Sequence, residues 1–478
     1  KGIVKPWVSC HSSPVFAIKK PMKPGDTVQR WRTLVDLRAC NAALVPHRYP
    51  VPSTSEIFAS LSPDFKVFSG FDACDGFFQV PVDESTFDFL AFMSMPVKVD
   101  EEIIVESTNG KREVIEPNVY SQFTFCVLPQ GSQFSPSIFT EELISTIAKG
   151  LPEYWNVNVF VFVDDICIGS EDYDTHLKIF RKLAAALYED GWTLARHKTS
   201  FMKQSLRFLG LVISSIKVRE DGEDPDDAAC KIWGDRSEIE VILNLQEPTT
   251  LKELRSVLGA LGFYRIFVPS FGITSRCLTD LTKKDADVRG DWTDECSRAF
   301  DKLKLDVATA AAVTPFDNTR QVLLQIDSCK EGTAGVLSQP YGTRLRPICF
   351  YSKSWTGTEM SASPQLSELK GLVACCMAWK QMLWGAVVGI SILSDHGSLK
   401  YLASARAQGT CSDRVERFAG FLGSLNATVS WRAGAGLLVA DHLSRHGHNN
   451  PSETERKLAQ DTDLKSLELS KKELKKRR

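Results

Sequence analysis

Apolar residues gather into short runs along the first half of the chain, and the clearest pair of runs flanks two adjacent carboxylates. Residues 158–170, NVFVFVDDICIGS, place Asp164 and Asp165 between a β-branched and aromatic segment and a second apolar segment. Each segment predicts a short strand, so the two carboxylates fall at the tight turn of a hairpin. The pattern therefore predicts two negative charges held close together on a rigid backbone.

The other apolar runs of this half predict alternating strands and helices, as in an α/β or α+β sheet domain. Residues 13–38 predict two strands joined by a Pro/Gly turn, and a later strand carries Asp72 near its end. Apolar residues spaced three and four apart predict helices. The further predicted elements are an inserted surface hairpin over 98–117, a helix over 135–150 that Ser135 caps and Gly150 ends, a helix over 176–190, and a single strand over 207–214.

The second half begins with two helices that have clear start signals. Thr250 and Glu253 form a predicted capping box, and Thr293 begins another helix. From residue 321 the pattern changes to strands, which are followed by a helical stretch over 364–384. Four acidic residues fall at the ends of these elements or on the helix-like run after them, namely Asp327, Glu368, Asp395 and Asp441.

Both sets of acidic residues predict metal binding. Like charges held this close are costly unless a cation neutralises them, and hard divalent ions take carboxylate oxygens as ligands. Four carboxylates that meet at one point can hold two such ions. An ordinary turn is the alternative for Asp164-Asp165. However, the other Asp-Asp pair, Asp226-Asp227, lies in the acidic run EDGEDPDD without flanking strands, where a solvated linker is expected.

The composition limits the class of protein to which the chain can belong, but it does not indicate a function. With 478 residues, 43% of them hydrophobic and 24% charged, the chain is expected to fold as globular units without a membrane span. Thirteen cysteines without a Cys-x-x-Cys pair predict neither a zinc ribbon nor a disulfide framework, and they favour a reducing, intracellular setting. A net charge of −2 means that nucleic-acid binding must come from local basic surfaces. Because the chain begins at Lys1 rather than Met, we expect an engineered fragment or a piece released from a longer polyprotein.

Several stretches occur in a specific order along nearly the whole chain. They are WRTLVDLRACNAALVPHRYPVP, FDACDGFFQV, LPQGSQFSPSIF, FVDD, FLGLVIS, PTTLKELRSVLGALGFYRIFVPSF and LVADHLSRH. This series resembles the reverse transcriptase and ribonuclease H portion of long-terminal-repeat retroelements, in particular gypsy-like retrotransposons, and it is also similar to retroviral enzymes. The resemblance implies a right-hand polymerase of fingers, palm and thumb, followed by a ribonuclease H-like α/β domain.

The resemblance also implies where the domains begin and end. The expected limits are fingers and palm over 1–218, a thumb or connecting helical region over 219–312, and a ribonuclease H domain over 313–447. The remaining residues, 448–478, lack aromatic side chains and end in KKELKKRR, so their composition predicts a flexible basic tail, with a short amphipathic helix as the alternative.

The implied enzyme copies retroelement RNA into DNA, uses RNA and DNA templates, and degrades the RNA strand of RNA–DNA hybrids. It would use two Mg²⁺ or Mn²⁺ ions in each active site. Its implied partners are template-primer, RNA–DNA hybrid, deoxynucleoside triphosphates, polyprotein neighbours such as protease and integrase, and a second copy in a homodimer. The implied location is the cytoplasm, within retroelement particles. The alternative is a non-catalytic nucleic-acid-binding subunit or domesticated relic, but relics lose metal-binding carboxylates first, and this chain keeps them all.

The resemblance assigns a role to each candidate residue. The polymerase carboxylates are Asp72, Asp164 and Asp165, and Lys198 is placed to protonate pyrophosphate. The ribonuclease H carboxylates are Asp327, Glu368, Asp395 and Asp441. The incoming nucleotide is contacted by Lys20 (or Lys19) and Arg32 at its triphosphate, by Gln130 and Gly131, and by Phe77 beneath its sugar, while Phe208, Leu209 and Gly210 grip the primer end.

Two stretches depart from the family pattern. Phe162 replaces a Tyr before the Asp pair, which keeps the ring and removes a hydroxyl that can contact template-primer. In the loop before Asp441, Ala433-Gly434 stands where the family has Pro-Gly and Leu437 where it has Asn. Trp431 stands about where many ribonucleases H have a His. These departures bear on contact with template-primer and on the rate of RNA cleavage.

Overall fold

The computed structural model divides the chain into two compact units. One contains Lys1–Ile57 and Val67–Lys203, and the other contains Phe58–Lys66 and Gln204–Arg478. The predicted boundary at residue 218 falls outside the described residues, so the predicted domain limits stay a prediction. The structure describes residues 2–19, 29, 31–45, 47–99, 103–106, 112–115, 118–216, 230–283, 286–341, 344–361, 363–394, 420–421, 424–425 and 427–431.

Antiparallel strands form much of the first unit. In chain order they are β1 (Val4–Pro6), β2 (Val15–Lys19), β3 (Trp31–Val35), β4 (Val67–Asp72), β5 (Ala91–Val99), β6 (Ile103–Glu106), β7 (Arg112–Ile115), β8 (Asn118–Phe125), β9 (Val159–Phe162), β10 (Asp165–Ser170) and β11 (Ser200–Lys203). One sheet has the order β11-β4-β10-β9 and another the order β1-β8-β5, with β2-β3 and β6-β7 as separate hairpins. The predicted hairpins are therefore present, although the turns of β2-β3 and β6-β7 lie largely outside the described residues.

Two long helices pack on the sheet β11-β4-β10-β9. The helices up to this point are α1 (Arg38–Ala43), α2 (Thr54–Ser60), α3 (Ser135–Gly150) and α4 (Tyr173–Glu189), with 3₁₀ turns at Gly76–Gln79, Glu84–Thr86 and Arg196–Lys198. α4 begins earlier than predicted because Asp172 caps it by accepting a hydrogen bond from the Thr175 N–H. The core shared by α3, α4 and the sheet includes Phe71, Phe139, Leu143, Val161, Ile166, Ile179 and Leu183.

The second unit combines two sheets with shorter helices. Its strands are β12 (Ser205–Phe208), β13 (Leu211–Ser214), β14 (Lys231–Gly234), β15 (Val322–Ser328), β16 (Gly332–Tyr341), β17 (Arg344–Ser354), β18 (Ile390–Ser394) and β19 (Ala427–Trp431). Its helices are α5 (Arg236–Leu243), α6 (Leu251–Phe263), α7 (Phe271–Thr274), α8 (Arg276–Asp280), α9 (Asp294–Ala308), α10 (Gly357–Met360), α11 (Pro364–Ala378) and α12 (Lys380–Gly385). The predicted capping box of Thr250 and Glu253 is present at the start of α6, and Thr293 caps α9.

A five-stranded sheet of order β17-β16-β15-β18-β19 forms the centre of the later part of this unit. β15 pairs antiparallel with β16 and parallel with β18, so it is an interior strand. α11 packs on the sheet, and the shared core includes Leu324, Ile326, Leu372, Cys375 and Ile392. Among the described residues, no helix has both the length and the apolar character needed to cross a membrane.

The single strand predicted over 207–214 is wrong, because this stretch is a hairpin. β12 and β13 pair antiparallel, with Phe208 opposite Leu211. The two residues between them, Leu209 and Gly210, have φ of 49° and 78°. A two-residue turn with positive φ at both positions reverses the chain with the twist that paired strands need, and glycine adopts this conformation at little cost.

The predicted cap of α3 is also wrong. Ser135 is the first residue of the helix, and no side chain caps it at Phe134. The Ser135 hydroxyl instead donates to the Pro129 carbonyl at 2.8 Å. Ser135 therefore fixes the loop that precedes the helix.

Candidate active sites

The predicted hairpin places Asp165 opposite Asp72. Asp165 begins β10, where it pairs with Phe162 on β9 and with Asp72 at the end of β4. Asp164 lies in the turn, and its carbonyl accepts a hydrogen bond from the Ala73 N–H at 3.0 Å. The backbone of adjacent strands thus brings the three predicted polymerase carboxylates to one end of the sheet.

The turn that carries Asp164 is strained. Val163 has φ of 53°, in the left-handed region that a β-branched residue rarely occupies. A two-residue hairpin turn demands this handedness, so the pairing of β9 with β10 imposes it. Backbone strain of this kind is concentrated at functional sites, where the surrounding structure maintains it.

Lys198 brings a positive charge to these carboxylates. Its ammonium donates to the two carboxylate oxygens of Asp72 at 2.9 and 2.8 Å. The segment before it is tied to β4, because the Ala195 N–H donates to the Asp72 carbonyl at 2.8 Å and Leu194 pairs with Ala73. The hydrogen bond with Asp72 raises the pKa of Lys198, so the amine is protonated at neutral pH.

The surroundings of Asp165 disfavour its charged form. Burial raises the pKa of Asp165 to about 6, the charges of Asp164 and Asp72 add to the rise, and Lys198 opposes it. A cation nearby would offset both the lost hydration and the repulsion. The donor chemistry of the three carboxylates therefore fits a hard divalent ion such as Mg²⁺ or Mn²⁺.

Asp72 already has a cationic partner within this candidate site. Among the described residues, no three His, Cys, Asp or Glu side chains form a ready-made metal-binding group. In this site the Lys198 ammonium engages both oxygens of Asp72. A metal ion bound by Asp72 would therefore compete with Lys198.

A buried histidine that is not among the predicted site residues ties together the strands that carry Asp72 and Asp165. His176 on α4 is 0% exposed. Its Nε2 lies 2.7 Å from the Ser69 hydroxyl on β4, and its Nδ1 lies 2.8 Å from the Ser170 hydroxyl on β10. The sequence did contain a signal, since His176 falls in the apolar stripe of α4 together with Ile179 and Leu183.

The hydrogen bonds around His176 favour one neutral tautomer. Ser69 Oγ accepts from the Met202 N–H at 2.9 Å, so its own proton is available for Nε2. Nδ1 then carries the ring proton and donates to Ser170, whose hydroxyl donates to the Asp172 carbonyl at 2.9 Å. Burial lowers the pKa of His176 to about 4, which keeps the ring neutral at physiological pH.

The residues predicted to contact the nucleotide sugar and base lie near α3. Phe77 lies in the 3₁₀ turn after β4, with its ring centroid 5.4 Å from that of Phe139. Gln130 and Gly131 lie in the turn before α3, where Gly131 has φ of 97°. The Asn41 side chain donates to the Gly131 carbonyl at 3.0 Å and holds this turn.

The predicted triphosphate contacts are described in part. Arg32 is exposed on β3, opposite Ile18 on β2. Lys19, the alternative to Lys20, is exposed at the end of β2, with its ammonium 5.6 Å from the centroid of the Trp31 ring. Lys20 itself lies outside the described residues.

The predicted primer grip lies in the second unit, at the tip of the β12-β13 hairpin. Phe208 is buried, and its ring meets Phe58 edge to face at 6.3 Å between centroids. Leu209 and Gly210 form the turn itself. The motif Phe-Leu-Gly thus provides an anchored aromatic residue followed by a tight turn.

The second unit brings two of the four predicted ribonuclease H carboxylates to one place. Asp327, near the end of β15, is 1% exposed, and Glu368 on α11 is 5% exposed. Glu368 accepts a hydrogen bond at 3.2 Å from the N–H of Ser328, the residue that follows Asp327. α11 can approach β15 this closely at Gly371, where a Cβ would collide with Ser328 and Thr333.

The structure describes only some of the other residues predicted for the ribonuclease H domain. Asp395 follows directly after β18, and it lies outside the described residues together with Asp441 and Leu437. Trp431 is the last residue of β19.

Two stretches of the chain match known protein families. Residues 18–213 match "Reverse transcriptase (RNA-dependent DNA polymerase)". Residues 292–390 match "RNase H-like domain found in reverse transcriptase". Domains of these two kinds generally use divalent metal ions.

Most of the chain is also similar to transposon and viral polyproteins. It is 27% identical over 453 residues to the "Retrovirus-related Pol polyprotein from transposon opus" of Drosophila melanogaster, covering 93% of this chain and 40% of that polyprotein. It is 25% identical to the corresponding gypsy polyprotein, covering 94% of this chain and 39% of the other. The "Gag-Pol polyprotein" of Walleye dermal sarcoma virus is 26% identical, with 86% of this chain and 21% of that protein covered. The chain carries the reverse transcriptase and ribonuclease H-like domains of a long-terminal-repeat retroelement.

This retroelement chain shares its fold with solved reverse transcriptases. A foamy viral protease-reverse transcriptase in complex with double-stranded DNA aligns with a TM-score of 0.71 at 22% identity, covering 90% of this chain and 67% of the other. A foamy viral protease-reverse transcriptase in complex with RNA/DNA hybrid aligns with a TM-score of 0.67 at 21% identity, covering 95% of this chain and 53% of the other. The reverse transcriptase and ribonuclease H-like architecture expected from the sequence is therefore confirmed. The chain spans about two fifths of the fly polyproteins, at 40% and 39% of their lengths.

Proposed function

We propose that the chain is an RNA- and DNA-templated DNA polymerase that also cleaves the RNA strand of RNA–DNA hybrids. The observation that carries the proposal is the cluster of Asp72, Asp164 and Asp165 at one end of a sheet, with Lys198 bound to Asp72. Gathering these like charges costs free energy and has no evident structural benefit. A cation-dependent reaction would account for the cluster.

The residues of the first unit have distinct tasks in the proposed polymerase. Two Mg²⁺ or Mn²⁺ ions held by the three carboxylates would supply the charge stabilisation that nucleotidyl transfer requires. Lys198 carries a proton at neutral pH and can deliver it to the leaving pyrophosphate once it has left Asp72. The exposed guanidinium of Arg32 is suited to bind the triphosphate through charged hydrogen bonds.

The proposed hybrid cleavage rests on the second unit. Asp327 and Glu368 are buried acids on a strand and a helix that are packed together, so their positions are fixed by the core. With Asp395 and Asp441 they would hold the divalent ions. Retention of these acids supports the enzyme over a non-catalytic relic, because burying unused carboxylates is costly.

We also propose the partners and setting that follow from this activity. Template-primer, RNA–DNA hybrid and deoxynucleoside triphosphates would be the ligands. The polyprotein relatives support release from a longer precursor, in which protease and integrase would be the neighbours. The cytoplasm, within retroelement particles, would be the site of action, and a homodimer remains part of the proposal.

Primer extension on an RNA template tests the polymerase directly. We expect extension by the wild type with Mg²⁺ and none with a chelator, because the three carboxylates need a divalent ion. Asp164→Asn should abolish extension. The matched control is Asp174→Asn, which removes an exposed carboxylate from the first turn of α4 in the same unit and should extend normally. A folded wild type that binds template-primer and never extends it would establish the non-catalytic alternative.

A further inference from the structure

Three aromatic rings form a row that begins at the predicted sugar contact. The Phe77 and Phe139 centroids are 5.4 Å apart with the rings at 77°. The Phe139 and Trp192 centroids are 5.5 Å apart with the rings at 82°. We call Phe77, Phe139 and Trp192 the ring row. Perpendicular contacts at these distances are favourable edge-to-face arrangements, so each ring restricts the tilt of the next.

Phe77 lies at one end of the ring row, on a short turn. Phe77 is half-buried and lies in a 3₁₀ turn of four residues, Gly76–Gln79. Such turns have poorer hydrogen-bond geometry than α-helices. Phe139, by contrast, is 0% exposed on the long helix α3. Phe77 packs against the core, and its edge-to-face contact with Phe139 helps to set the plane of its ring.

Trp192, at the other end of the ring row, is anchored by hydrogen bonds. The Trp192 indole N–H donates to the Thr146 hydroxyl at 3.0 Å. The Thr146 hydroxyl lies 2.6 Å from Asp190 Oδ2 and can donate to it. The Trp192 backbone N–H donates to the Leu187 carbonyl at 2.8 Å. Trp192 is thus held through both its side chain and its main chain, and its ring cannot turn away from Phe139 without losing the hydrogen bond to Thr146.

The residue after Trp192 holds the backbone of the same 3₁₀ turn. The Thr193 N–H donates to Gln79 Oε1 at 2.7 Å, and Gln79 Nε2 donates back to the Thr193 carbonyl at 3.0 Å. Gln79 Nε2 also donates to the Cys74 carbonyl at 2.6 Å. The backbone of the turn is therefore fixed independently of the rings. A change at Trp192 should loosen the Phe77 ring without unfolding the turn.

We propose that Trp192 is a positioning residue for sugar discrimination. It fixes Phe139, and through Phe139 it fixes the ring plane of Phe77 where the 2′ position of an incoming nucleotide would lie. A ring held in place excludes the additional oxygen of a ribonucleotide by overlap, whereas a ring free to tilt admits it. The inference rests on the proposed polymerase function and on the predicted position of Phe77 beneath the sugar.

The test compares incorporation of deoxyribonucleotides and ribonucleotides on one template, as a ratio of kcat/KM values. Phe77→Val should relax selectivity most, because it removes the excluding ring. Trp192→Leu should relax selectivity roughly three- to tenfold, the range expected for losing one edge-to-face contact. Thr146→Val keeps the shape of the side chain but removes the acceptor for the indole, so it should have a smaller effect in the same direction.

Trp292 provides a matched control in the second unit. Its indole N–H donates to the Ser297 hydroxyl at 2.9 Å, and its ring meets the buried Phe300 at 74° with centroids 6.4 Å apart. Trp292→Leu therefore loses the same kinds of contact away from the ring row, and the selectivity ratio should stay at the wild-type value. If Trp192→Leu fails to fold, Trp192→Phe is the second variant. The selectivity ratio of Trp192→Phe should lie between those of Trp192→Leu and wild type.

The outcomes separate this inference from the proposed function. If wild type does not extend a primer, the proposed function fails and this inference fails with it. If wild type extends and Phe77→Val relaxes selectivity, but folded Trp192→Leu and Trp192→Phe keep the wild-type ratio, only the role of Trp192 is overturned. If Trp292→Leu relaxes selectivity as much as Trp192→Leu, the effect is general destabilisation and the role of Trp192 is also overturned.

Discussion

The two carboxylate sites of this chain are built on similar strands but in different surroundings. In each case an acidic residue lies at or near the end of an interior strand, Asp72 on β4 and Asp327 on β15. The side chain of Asp72 is 16% exposed and paired with Lys198. Asp327 and Glu368 are 1% and 5% exposed, and a backbone N–H donates to Glu368. The first site therefore holds a half-exposed cationic side chain, and the second holds Asp327 and Glu368 within the core.

This difference indicates how each site would respond to metal. In the first site a divalent ion would compete with the Lys198 ammonium for Asp72. In the second site Asp327 and Glu368 are fixed by the packing of α11 on β15, so their positions would already be set if an ion bound. Pre-set geometry lowers the cost of binding, whereas a displaceable counter-charge stabilises the protein without metal.

The largest expected effect is reciprocal loss of the two activities. Asp164→Asn should lower DNA synthesis by roughly 1000-fold or more and leave hybrid cleavage intact, and Glu368→Gln should do the reverse. Primer extension and release of labelled RNA from a hybrid measure the two activities. Glu331→Gln, an exposed acid in the second unit, is the control that should affect neither. Loss of both activities in either folded variant would contradict two separate sites.

The next effect concerns Lys198 as a proton donor. Lys198→Met should lower synthesis by about 100-fold or more and leave hybrid cleavage unchanged, because general acid catalysis is lost in one site only. Lys198→Arg keeps the charge that pairs with Asp72 but releases a proton poorly. Single-turnover primer extension should therefore be slow in both variants. Wild-type synthesis by Lys198→Arg would show that only the charge of Lys198 matters.

A smaller effect concerns acid stability of the first unit. The pKa of His176 is lowered to about 4 from an ordinary 6.5, so the unfolded chain binds a proton more readily than the folded chain. The stabilisation is fully present above pH 6.5 and is lost as the pH falls. At pH 4 the free energy of unfolding should have dropped by about 3 kcal/mol from this group alone. Denaturant unfolding between pH 7 and pH 4 measures the loss.

His176→Gln provides the comparison for this pH dependence. Glutamine does not titrate, so the variant should be less stable at pH 7 but should lose less stability on acidification. Equal pH dependence in wild type and His176→Gln would exclude His176 as the source.

The smallest effect concerns metal binding without catalysis. Mg²⁺ should raise the Tm of Lys198→Met by a few degrees more than it raises that of wild type, because the ammonium no longer competes for Asp72. Lys353→Met removes an ammonium that pairs with Glu359 at 2.9 Å in the second unit, and the Mg²⁺-induced rise in its Tm should match wild type. Thermal unfolding with Mg²⁺ and with a chelator gives the comparison. An identical rise in Lys198→Met and wild type would contradict the competition.

The sequence by itself determined most elements, including the hairpin that carries Asp164 and Asp165. Two β-rich runs around Asp164-Asp165 predict a hairpin because alternation and β-branched content are local properties, and β9 and β10 form it. The capping box of Thr250 and Glu253 also depends only on residues three positions apart. The ordered motifs indicated the family, which the reverse transcriptase and ribonuclease H-like matches confirm.

Only the tertiary structure decided which distant side chains meet. The pairing of Lys198 with Asp72, the bonds of His176 to Ser69 and Ser170, and the ring row through Phe139 and Trp192 join residues far apart in the chain. The 207–214 stretch became a hairpin because pairing of β12 with β13 favoured a left-handed turn at Leu209 and Gly210 that its apolar pattern did not indicate. Local periodicity reports which face of an element is buried, but the register between elements depends on packing and hydrogen bonding across the whole core.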